Sequence, residues 1–181
     1  MKPARMLGLA WTVSIAGLAF SPSASAYTYR IEETEITLEG EWQSEYDPEY
    51  SQKKSVYANF DIFDPRAYAT FTFEGTAITW IGARTFNAGL FEWIIDEGTA
   101  YELRDTVNTY IPGVDRYTTE LLADDLAPGP HTFKFLSLGI NGLTYGYGLP
   151  SETYIDAFDI EREPTPVEDC TWGQIKSTLI E

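Results

Sequence analysis

The 181-residue sequence is nearly free of histidine and cysteine, two side chains on which many catalytic and zinc sites depend. It contains one histidine, His131, and one cysteine, Cys170. A single cysteine excludes an intramolecular disulfide. One histidine and one remote cysteine cannot complete the nitrogen and sulfur shell of a zinc site. No G-x-S-x-G elbow is present to pair with His131, so nucleophilic catalysis has no support. We expect a structural role for His131 at a turn.

Basic residues are also scarce, with 12 Lys and Arg against 28 Asp and Glu, for a formal net charge of −16. Such a surface repels nucleic acid and anionic lipid, so we expect neither as a partner. No Gly-rich phosphate loop leading into a helix is present. A glycosidase needs only two carboxylates, but among 28 acids some pair will always have suitable spacing. The sequence therefore gives no positive sign of an enzyme, and we expect none.

The abundance of acids leaves calcium open, because this hard cation takes carboxylate and carbonyl oxygens. No EF-hand loop occurs. Two segments, 61–64 and 124–125, are rich in Asp, and solvated charges explain them equally well. The sequence thus predicts no cofactor and leaves a structural calcium ion as an unassigned alternative.

Long apolar runs are absent except at the amino terminus. Lys2 and Arg5 precede an apolar run from Met6 to Phe20, which is shorter than the roughly 20 residues that span a bilayer. Ala24-Ser25-Ala26 then offers the small residues that a signal peptidase accepts. We therefore predict a cleaved signal peptide at residues 1–26. The remaining chain is expected to be secreted, periplasmic or at the cell surface, without membrane insertion.

The region 27–162 has the pattern of a single all-β domain. Apolar and polar positions alternate, and no apolar stripe has helical spacing until the last dozen residues. Residues 163–181 form a proline-containing linker and a short tail. Many short strands at regular spacing indicate a sandwich or barrel. The predicted strands are Tyr27–Glu32, Glu35–Trp42, Ser55–Tyr57, Ala67–Phe73, Thr76–Gly82, Gly89–Asp96, Thr99–Asn108, Tyr117–Ala123, His131–Leu138 and Thr153–Glu161.

Alternation within these strands also predicts the core. Positions two apart fall on one face of a strand, and the apolar face is expected to be buried. By this argument Trp80 and Trp93 are core residues and not ligand platforms. The predicted core residues are Ala69, Phe71, Phe73, Ile78, Trp80, Phe91, Trp93, Ile95, Phe133 and Phe135.

Turn residues divide the connections into two groups. Glu74-Gly75 and Glu97-Gly98 suit tight hairpins, and the prolines of residues 127–130 cannot continue a ladder. If successive strands run up and down, the loops at 59–66, 83–88, 109–116 and 139–152 emerge at one rim. These are the longer loops, and long loops on a rigid sandwich usually carry binding function.

The residues on that rim have the chemistry of a sugar site. A pyranose ring stacks on Tyr, Trp or Phe, and its hydroxyls take hydrogen bonds from Arg, Asn and Asp. The alternative reading of the Gly-Tyr sequence in loop 139–152 is a flexible surface loop. The predicted carbohydrate-binding residues are Arg84, Phe86, Asn87, Tyr110, Asn141, Tyr145 and Tyr147.

A family resemblance covers about residues 30–162. The segments ATFTFEGTAITWIGAR, GLFEWIID, NTYIPGVDRY, LAPGPHTFKF and TYIDAFDIE resemble the galactose-binding-domain-like β-sandwiches of secreted bacterial proteins. Within them, Phe71–Thr76 leads to Trp80-Ile81-Gly82. The other matching positions are Arg84, Gly89, Ile95-Asp96, Tyr110, Leu126–Thr132 and Ile155–Phe158.

The resemblance implies an antiparallel jelly-roll β-sandwich and, most often, non-catalytic attachment to carbohydrate or to a cell surface. It implies ligand contacts for Arg84 and Tyr110. The resulting hypothesis is a secreted carbohydrate-binding module whose partner is a glycan. The alternative is a structural or adhesive surface protein that uses the sandwich for protein contacts. Residues that the resemblance marks as fold determinants are Trp80, Gly82, His131, Asp156 and Phe158.

Overall fold

The computed structural model describes residues 26–60, 67–139 and 151–163. These residues form twelve strands and two 3₁₀ turns, at Glu33–Glu35 and Ser51–Lys53, and contain no α-helix. The predicted all-β class is therefore confirmed. The strands are β1 (Tyr27–Glu32), β2 (Thr37–Glu39), β3 (Trp42–Tyr46), β4 (Lys54–Phe60), β5 (Tyr68–Glu74), β6 (Ala77–Thr85), β7 (Leu90–Ile95), β8 (Leu103–Asn108), β9 (Val114–Ala123), β10 (Pro130–Ser137), β11 (Ser151–Ile155) and β12 (Ala157–Arg162).

The strands form three sheets in which all neighbouring strands are antiparallel. A four-stranded sheet has the order β1-β12-β6-β9, and a five-stranded sheet has the order β2-β5-β10-β7-β8. These two sheets enclose the main core. A three-stranded sheet of order β11-β4-β3 continues from the four-stranded sheet, because only Asp156 separates β11 from β12. The predicted jelly-roll β-sandwich is confirmed.

Aromatic rings from the two larger sheets fill the space between them. Phe91 stacks on Phe135 with ring centroids 4.3 Å apart, and Trp80 reaches Phe91 from the opposite sheet at 5.1 Å. Phe133 and Phe158 meet edge to face at 5.0 Å. Burial of such side chains contributes roughly 1.5–3 kcal/mol each. Of the ten predicted core residues, all except the partly buried Phe71 are buried.

The Glu74-Gly75 connection differs from its prediction as a hairpin. β5 belongs to the five-stranded sheet and β6 to the four-stranded sheet, so Glu74-Gly75 crosses between the sheets. A Cβ at Gly75 would lie 2.4 Å from the carbonyl oxygen of Glu161, and this close approach explains the glycine. By contrast, β7 and β8 do pair as a hairpin around Gly98, as predicted, but their connection at residues 96–102 is longer than the tight turn that was expected.

Three predicted strands are interrupted or begin later than expected. The segment Glu35–Trp42 is interrupted at Gly40, where φ is +92°, and divides between β2 and β3. The strand predicted from Thr99 begins only at Leu103, and the last predicted strand divides at Asp156. Hydrophobic alternation continues across these breaks, so pattern alone could not locate them.

His131 ties two connections together at the end of the sandwich opposite the predicted binding rim. Its Nδ1 lies 2.7 Å from Asp96 Oδ2, and its Nε2 lies 2.8 Å from the carbonyl oxygen of Ala127. Asp96 Oδ1 also accepts a hydrogen bond of 2.8 Å from the backbone N–H of Thr132. Burial alone would raise the pKa of Asp96, but the hydrogen bonds from His131 and Thr132 outweigh it and lower the pKa. The structural role predicted for His131 is confirmed.

The lowered pKa of Asp96 makes this junction sensitive to acid. A carboxyl whose pKa is lower in the folded state stabilises the fold at pH values above its ordinary pKa of about 3.9. That contribution is lost as the pH falls through the folded value. We expect Asp96→Asn to reduce the free energy of unfolding at pH 7 by about 1–3 kcal/mol, and the difference from the wild type to shrink below about pH 4.

Urea unfolding of both proteins between pH 7 and pH 3 measures this effect. Asn tolerates the left-handed backbone of Asp96, where φ is +55°, so the substitution removes charge with little strain. Asp124→Asn is the matched control because Asp124 is exposed and has no side-chain partner among the described residues. An unchanged wild-type-to-variant difference between pH 7 and pH 3 would contradict the assignment.

Asp156 anchors the bend between β11 and β12. It is fully buried, and its backbone N–H donates to the carbonyl oxygen of Ile81 at 2.9 Å. Its carboxylate accepts hydrogen bonds from the N–H and the hydroxyl of Ser51, at 2.9 and 2.8 Å. Burial raises the pKa of Asp156 despite these bonds, and nearby Glu32 and Glu33 contribute in the same direction. These contacts explain why an Asp occupies this position between β11 and β12.

Candidate functional site

Three chain segments meet at the rim that strand counting predicts as the binding end. The N–H of Thr85 donates to the carbonyl oxygen of Thr109 at 3.2 Å, and the N–H of Thr109 donates to that of Gly89 at 2.9 Å. Asn87 and Glu152 are joined by a 2.9 Å hydrogen bond from the Glu152 N–H to the Asn87 carbonyl. The connections after β6, after β8 and before β11 therefore form one surface. Most of the loops 59–66 and 139–152 lies outside the described residues.

A cleft of about 300 Å³ opens at this rim, and we call it the rim cleft. One side is the three-stranded sheet, and the other is formed by the end of β6, its following turn and the start of β9. Aromatic, amide, hydroxyl and charged side chains all contribute to its surface. The lining residues are Ser44, Glu45, Tyr57, Thr85, Phe86, Asn87, Val114, Arg116, Glu152 and Tyr154.

Strand register explains why the three-stranded sheet presents this chemistry. Tyr57 pairs directly with Tyr154 on one side and with Gln43 on the other, so the three side chains share a face. Glu45 and Glu152 lie two residues from Gln43 and Tyr154, and side chains two apart on a strand point to the same face. The face therefore has carboxylates on its two outer strands and a tyrosine on its central strand.

The two tyrosines form the aromatic floor of the rim cleft. Their ring centroids are 5.2 Å apart, and Tyr154 also contacts a small cluster that includes Tyr50 and Ala83. Burial raises the pKa of Tyr154, and its hydrogen bond to Glu152 raises it further. Burial also raises the pKa of Tyr57, and the charges of Glu152 and Glu45 act in the same direction. Both phenols therefore stay neutral at physiological pH.

Phe86 and Asn87 give the cleft its open wall. The Phe86 side chain is 58% exposed, whereas phenylalanine side chains are usually buried. The Asn87 side-chain oxygen accepts a hydrogen bond from the Thr85 hydroxyl. Its amide nitrogen has no hydrogen-bond partner within the described part of the chain. An exposed ring beside a free amide donor provides both kinds of contact that a sugar ring uses.

Arg116 holds the charged side of the cleft in place. Its guanidinium lies 2.6 Å from Glu45 Oε1 and 3.2 Å from Asp47 Oδ2, so β9 is joined to β3. Glu45 Oε2 accepts a 3.0 Å hydrogen bond from the Tyr50 hydroxyl. The two oxygens of Glu45 are therefore occupied, whereas Glu152 has only Tyr154 as a side-chain partner among the described residues.

The predicted site residues separate into three groups. Phe86 and Asn87, two of the predicted carbohydrate-binding residues, line the cleft. Arg84 does not, because β6 continues to Thr85 and the Arg84 guanidinium bonds Glu120 at 2.6 Å. The loop predicted at 83–88 is therefore shorter than expected. Tyr110 is partly buried and outside the cleft lining. Asn141, Tyr145 and Tyr147 lie outside the described residues.

Sequence reasoning missed the carboxylates and tyrosines of the three-stranded sheet. Glu152 and Tyr154 alternate in β11, and Glu45 belongs to a strand that was not predicted separately. A period-two pattern places Glu152 and Tyr154 on one face. It does not show that β4 pairs with β11, which is far away in the sequence, and so places Tyr57 between the two outer strands.

Metal and membrane features can be stated for the described segments. Within residues 26–60, 67–139 and 151–163, no three His, Cys, Asp or Glu side chains are arranged to hold one metal ion. Asp61 and Asp64, part of one calcium prediction, lie outside these segments, and Asp124 and Asp125 are exposed. Those segments contain no helix with the length and apolar character needed to cross a membrane.

Solved structures similar to this chain include those of an esterase, a lyase and a carbohydrate-binding module. A two-domain esterase active on acetylated mannans, co-crystallized with mannopentaose, has a TM-score of 0.54 and 13% identity over 76% of this chain and 37% of the esterase. A xanthan lyase from Paenibacillus has a TM-score of 0.54 and 16% identity over 80% of this chain and 14% of the lyase.

A third structure, the C-terminal CBM6 of the marine laminarinase LamC from Zobellia galactanivorans, has a TM-score of 0.47 and 14% identity over 75% of this chain and all of that module. No family model and no curated protein matches the sequence. The chain spans well under half the length of the esterase and of the lyase. At such identities the likeness to the esterase and the lyase shows the fold alone.

Proposed function

We propose that this chain is an exported, non-catalytic carbohydrate-binding domain that binds a glycan in the rim cleft. The observation that carries the proposal is the combination of exposed Phe86, the free amide of Asn87 and the tyrosine floor within one cleft. Sugar sites are shallow, with one or two stacking rings and a few polar groups that fix orientation. The residues named in the cleft supply both.

We propose that the domain is non-catalytic because both carboxylates of the rim cleft already have partners within the protein. Glu45 is held by Arg116 and Tyr50, and Glu152 bonds Tyr154, so each carboxylate has a structural contact. Export is proposed from the predicted signal peptide at residues 1–26. Calcium has no ligand set in the described segments, and no step of the proposal depends on it.

Phe86→Ala is expected to weaken glycan binding about tenfold, equivalent to ~1.4 kcal/mol, because it removes the most exposed stacking surface of the cleft. The ring is mostly in solvent, so folding should be unaffected. Isothermal titration calorimetry with a glycan selected on an array measures the loss. Parallel titrations in calcium and in EDTA determine whether the ion contributes.

Tyr101→Ala is the matched control. Tyr101 is 82% exposed but belongs to the β7–β8 connection at the opposite rim, so its replacement should leave affinity unchanged. Equal effects of the two substitutions would place the glycan elsewhere. If no glycan on the array bound in either buffer, the carbohydrate-binding proposal itself would fail.

The alternative is a structural or adhesive role through protein contacts, and one observation favours it. β9 is an edge strand, and its outward-facing Tyr117 and Leu121 are 45% and 56% exposed. Exposed apolar side chains along an unpaired edge can associate with another chain. Sedimentation velocity distinguishes the roles, since concentration-dependent assembly supports the alternative and a monomer at all concentrations supports the carbohydrate-binding domain.

A further inference from the structure

The rim cleft has an excess of negative charge. Two carboxylates, Glu45 and Glu152, line it together with one cation, Arg116. That cation is already shared between Glu45 and Asp47, at 2.6 and 3.2 Å, so the guanidinium is neutralised within the protein. Glu152 has no compensating cation among the described residues. A ligand entering the cleft therefore meets one uncompensated carboxylate.

The position of Glu152 makes this charge available to a ligand. Its side chain is next to Tyr154 on the cleft face of β11, and its Oε2 accepts the Tyr154 hydroxyl. Its Oε1 has no protein partner in the described segments. The backbone of Glu152 is fixed on both sides, because its N–H bonds the carbonyl of Asn87 and its carbonyl accepts the N–H of Gly89 at 2.8 Å. The carboxylate is consequently held beside the aromatic floor.

The charges of Glu152 and Glu45 also act on the neighbouring phenols. The charges of Glu152 and Glu45 both act to raise the pKa of Tyr57, beyond the effect of burial, and both also act on Tyr154. A negative potential that disfavours a phenolate equally disfavours a uronate or a sulfate group on a sugar. The aromatic floor and the acidic rim together therefore suit a glycan with an apolar ring face and a positive substituent.

Resting on the carbohydrate-binding function proposed above, we propose that the rim cleft selects sugar residues with a free, protonated amino group, and that Glu152 is the residue that binds it. The amino group donates to Glu152 Oε1 while the sugar ring packs against Phe86. N-acetylation removes the positive charge of the amino group and places an acetyl group on the nitrogen that would donate to Glu152 Oε1. Acidic glycans are rejected because they place a second negative charge beside Glu152.

Binding of the full chain to matched oligosaccharides tests this selection. The probes are glucosamine and galactosamine oligomers, their fully N-acetylated counterparts, and an oligogalacturonate, all titrated at about pH 6 and low salt. We expect the free-amine form to bind at least about fivefold more tightly than its N-acetyl form in one of the two series, as a charge-assisted contact of about 1 kcal/mol requires. We also expect this preference to fall as salt rises.

Glu152→Gln keeps an oxygen that can accept from Tyr154 but removes the charge, so the amine preference should fall to near parity. Glu161→Gln is the control, because it removes the same charge from an exposed position on β12 outside the cleft. Equal binding of amine and N-acetyl forms in both series, or a preference that survives Glu152→Gln, would overturn the inference while leaving glycan binding intact. Absence of binding to any glycan would refute the proposed function and this inference together.

Discussion

Replacing Trp80 with alanine is expected to lower the free energy of unfolding by about 3–5 kcal/mol. Trp80 is completely buried, and its indole ring contacts Phe91 from the facing sheet. Its Nε1–H donates a 2.9 Å hydrogen bond to the carbonyl oxygen of Tyr154. The substitution would therefore open a large cavity and leave a buried carbonyl without its partner.

Chemical denaturation with a tryptophan-independent probe, such as far-UV circular dichroism, measures this loss. Leu121→Ala is a suitable control because Leu121 is 56% exposed on an edge strand, and its truncation should cost less than about 0.5 kcal/mol. Similar effects of the two substitutions would show that Trp80 is not the centre of the core. Trp80→Ala should also weaken glycan binding, since Tyr154 belongs to the floor of the rim cleft.

Gly82→Ala is expected to destabilise the fold by about 2–3 kcal/mol through overpacking. A Cβ at this position would lie 2.3 Å from Trp80 Cζ2 and 2.7 Å from the carbonyl oxygen of Tyr154. Neither neighbour can move freely, because the two are hydrogen-bonded to each other. Gly82 is required for space and not for a special backbone angle.

Gly113→Ala is the matched control for this prediction. A Cβ at Gly113 would meet no atom within 4 Å. Its substitution should be neutral or slightly stabilising, because alanine reduces the freedom of the unfolded chain. Thermal unfolding of the two variants gives the comparison directly. A Gly82→Ala protein as stable as Gly113→Ala would show that the Trp80 indole can move away from a Cβ at position 82.

The motif Trp80-Ile81-Gly82 shows what the sequence could and could not predict. Alternation identified Trp80 as a core residue, and the resemblance marked Gly82 as a fold determinant. The reason for the glycine depends on Tyr154, which comes from a strand more than 70 residues away in the sequence. Long-range packing of this kind has no local signature, so the motif could be recognised but not explained.

The candidate site was predicted less completely than the fold. Counting strands predicts the loops 83–88, 109–116 and 139–152 at one rim, because antiparallel connections alternate between ends. Backbone hydrogen bonds join described residues of all three loops there. Strand counting could not predict that β6 extends to Thr85 and directs Arg84 to Glu120. It also could not predict the three-stranded sheet, because this sheet requires pairing of β4 with β11 from a distant part of the sequence.

The central claim is that a glycan binds in the rim cleft, and an NMR titration of isotopically labelled protein with an array-selected oligosaccharide tests it most directly. We expect the largest amide shift changes at Phe86, Asn87 and Glu152, with little change at Gly98 on the opposite rim. Shift changes concentrated on the outer face of the five-stranded sheet, for example at Thr70 and Thr132, would contradict the claim and place the binding site elsewhere.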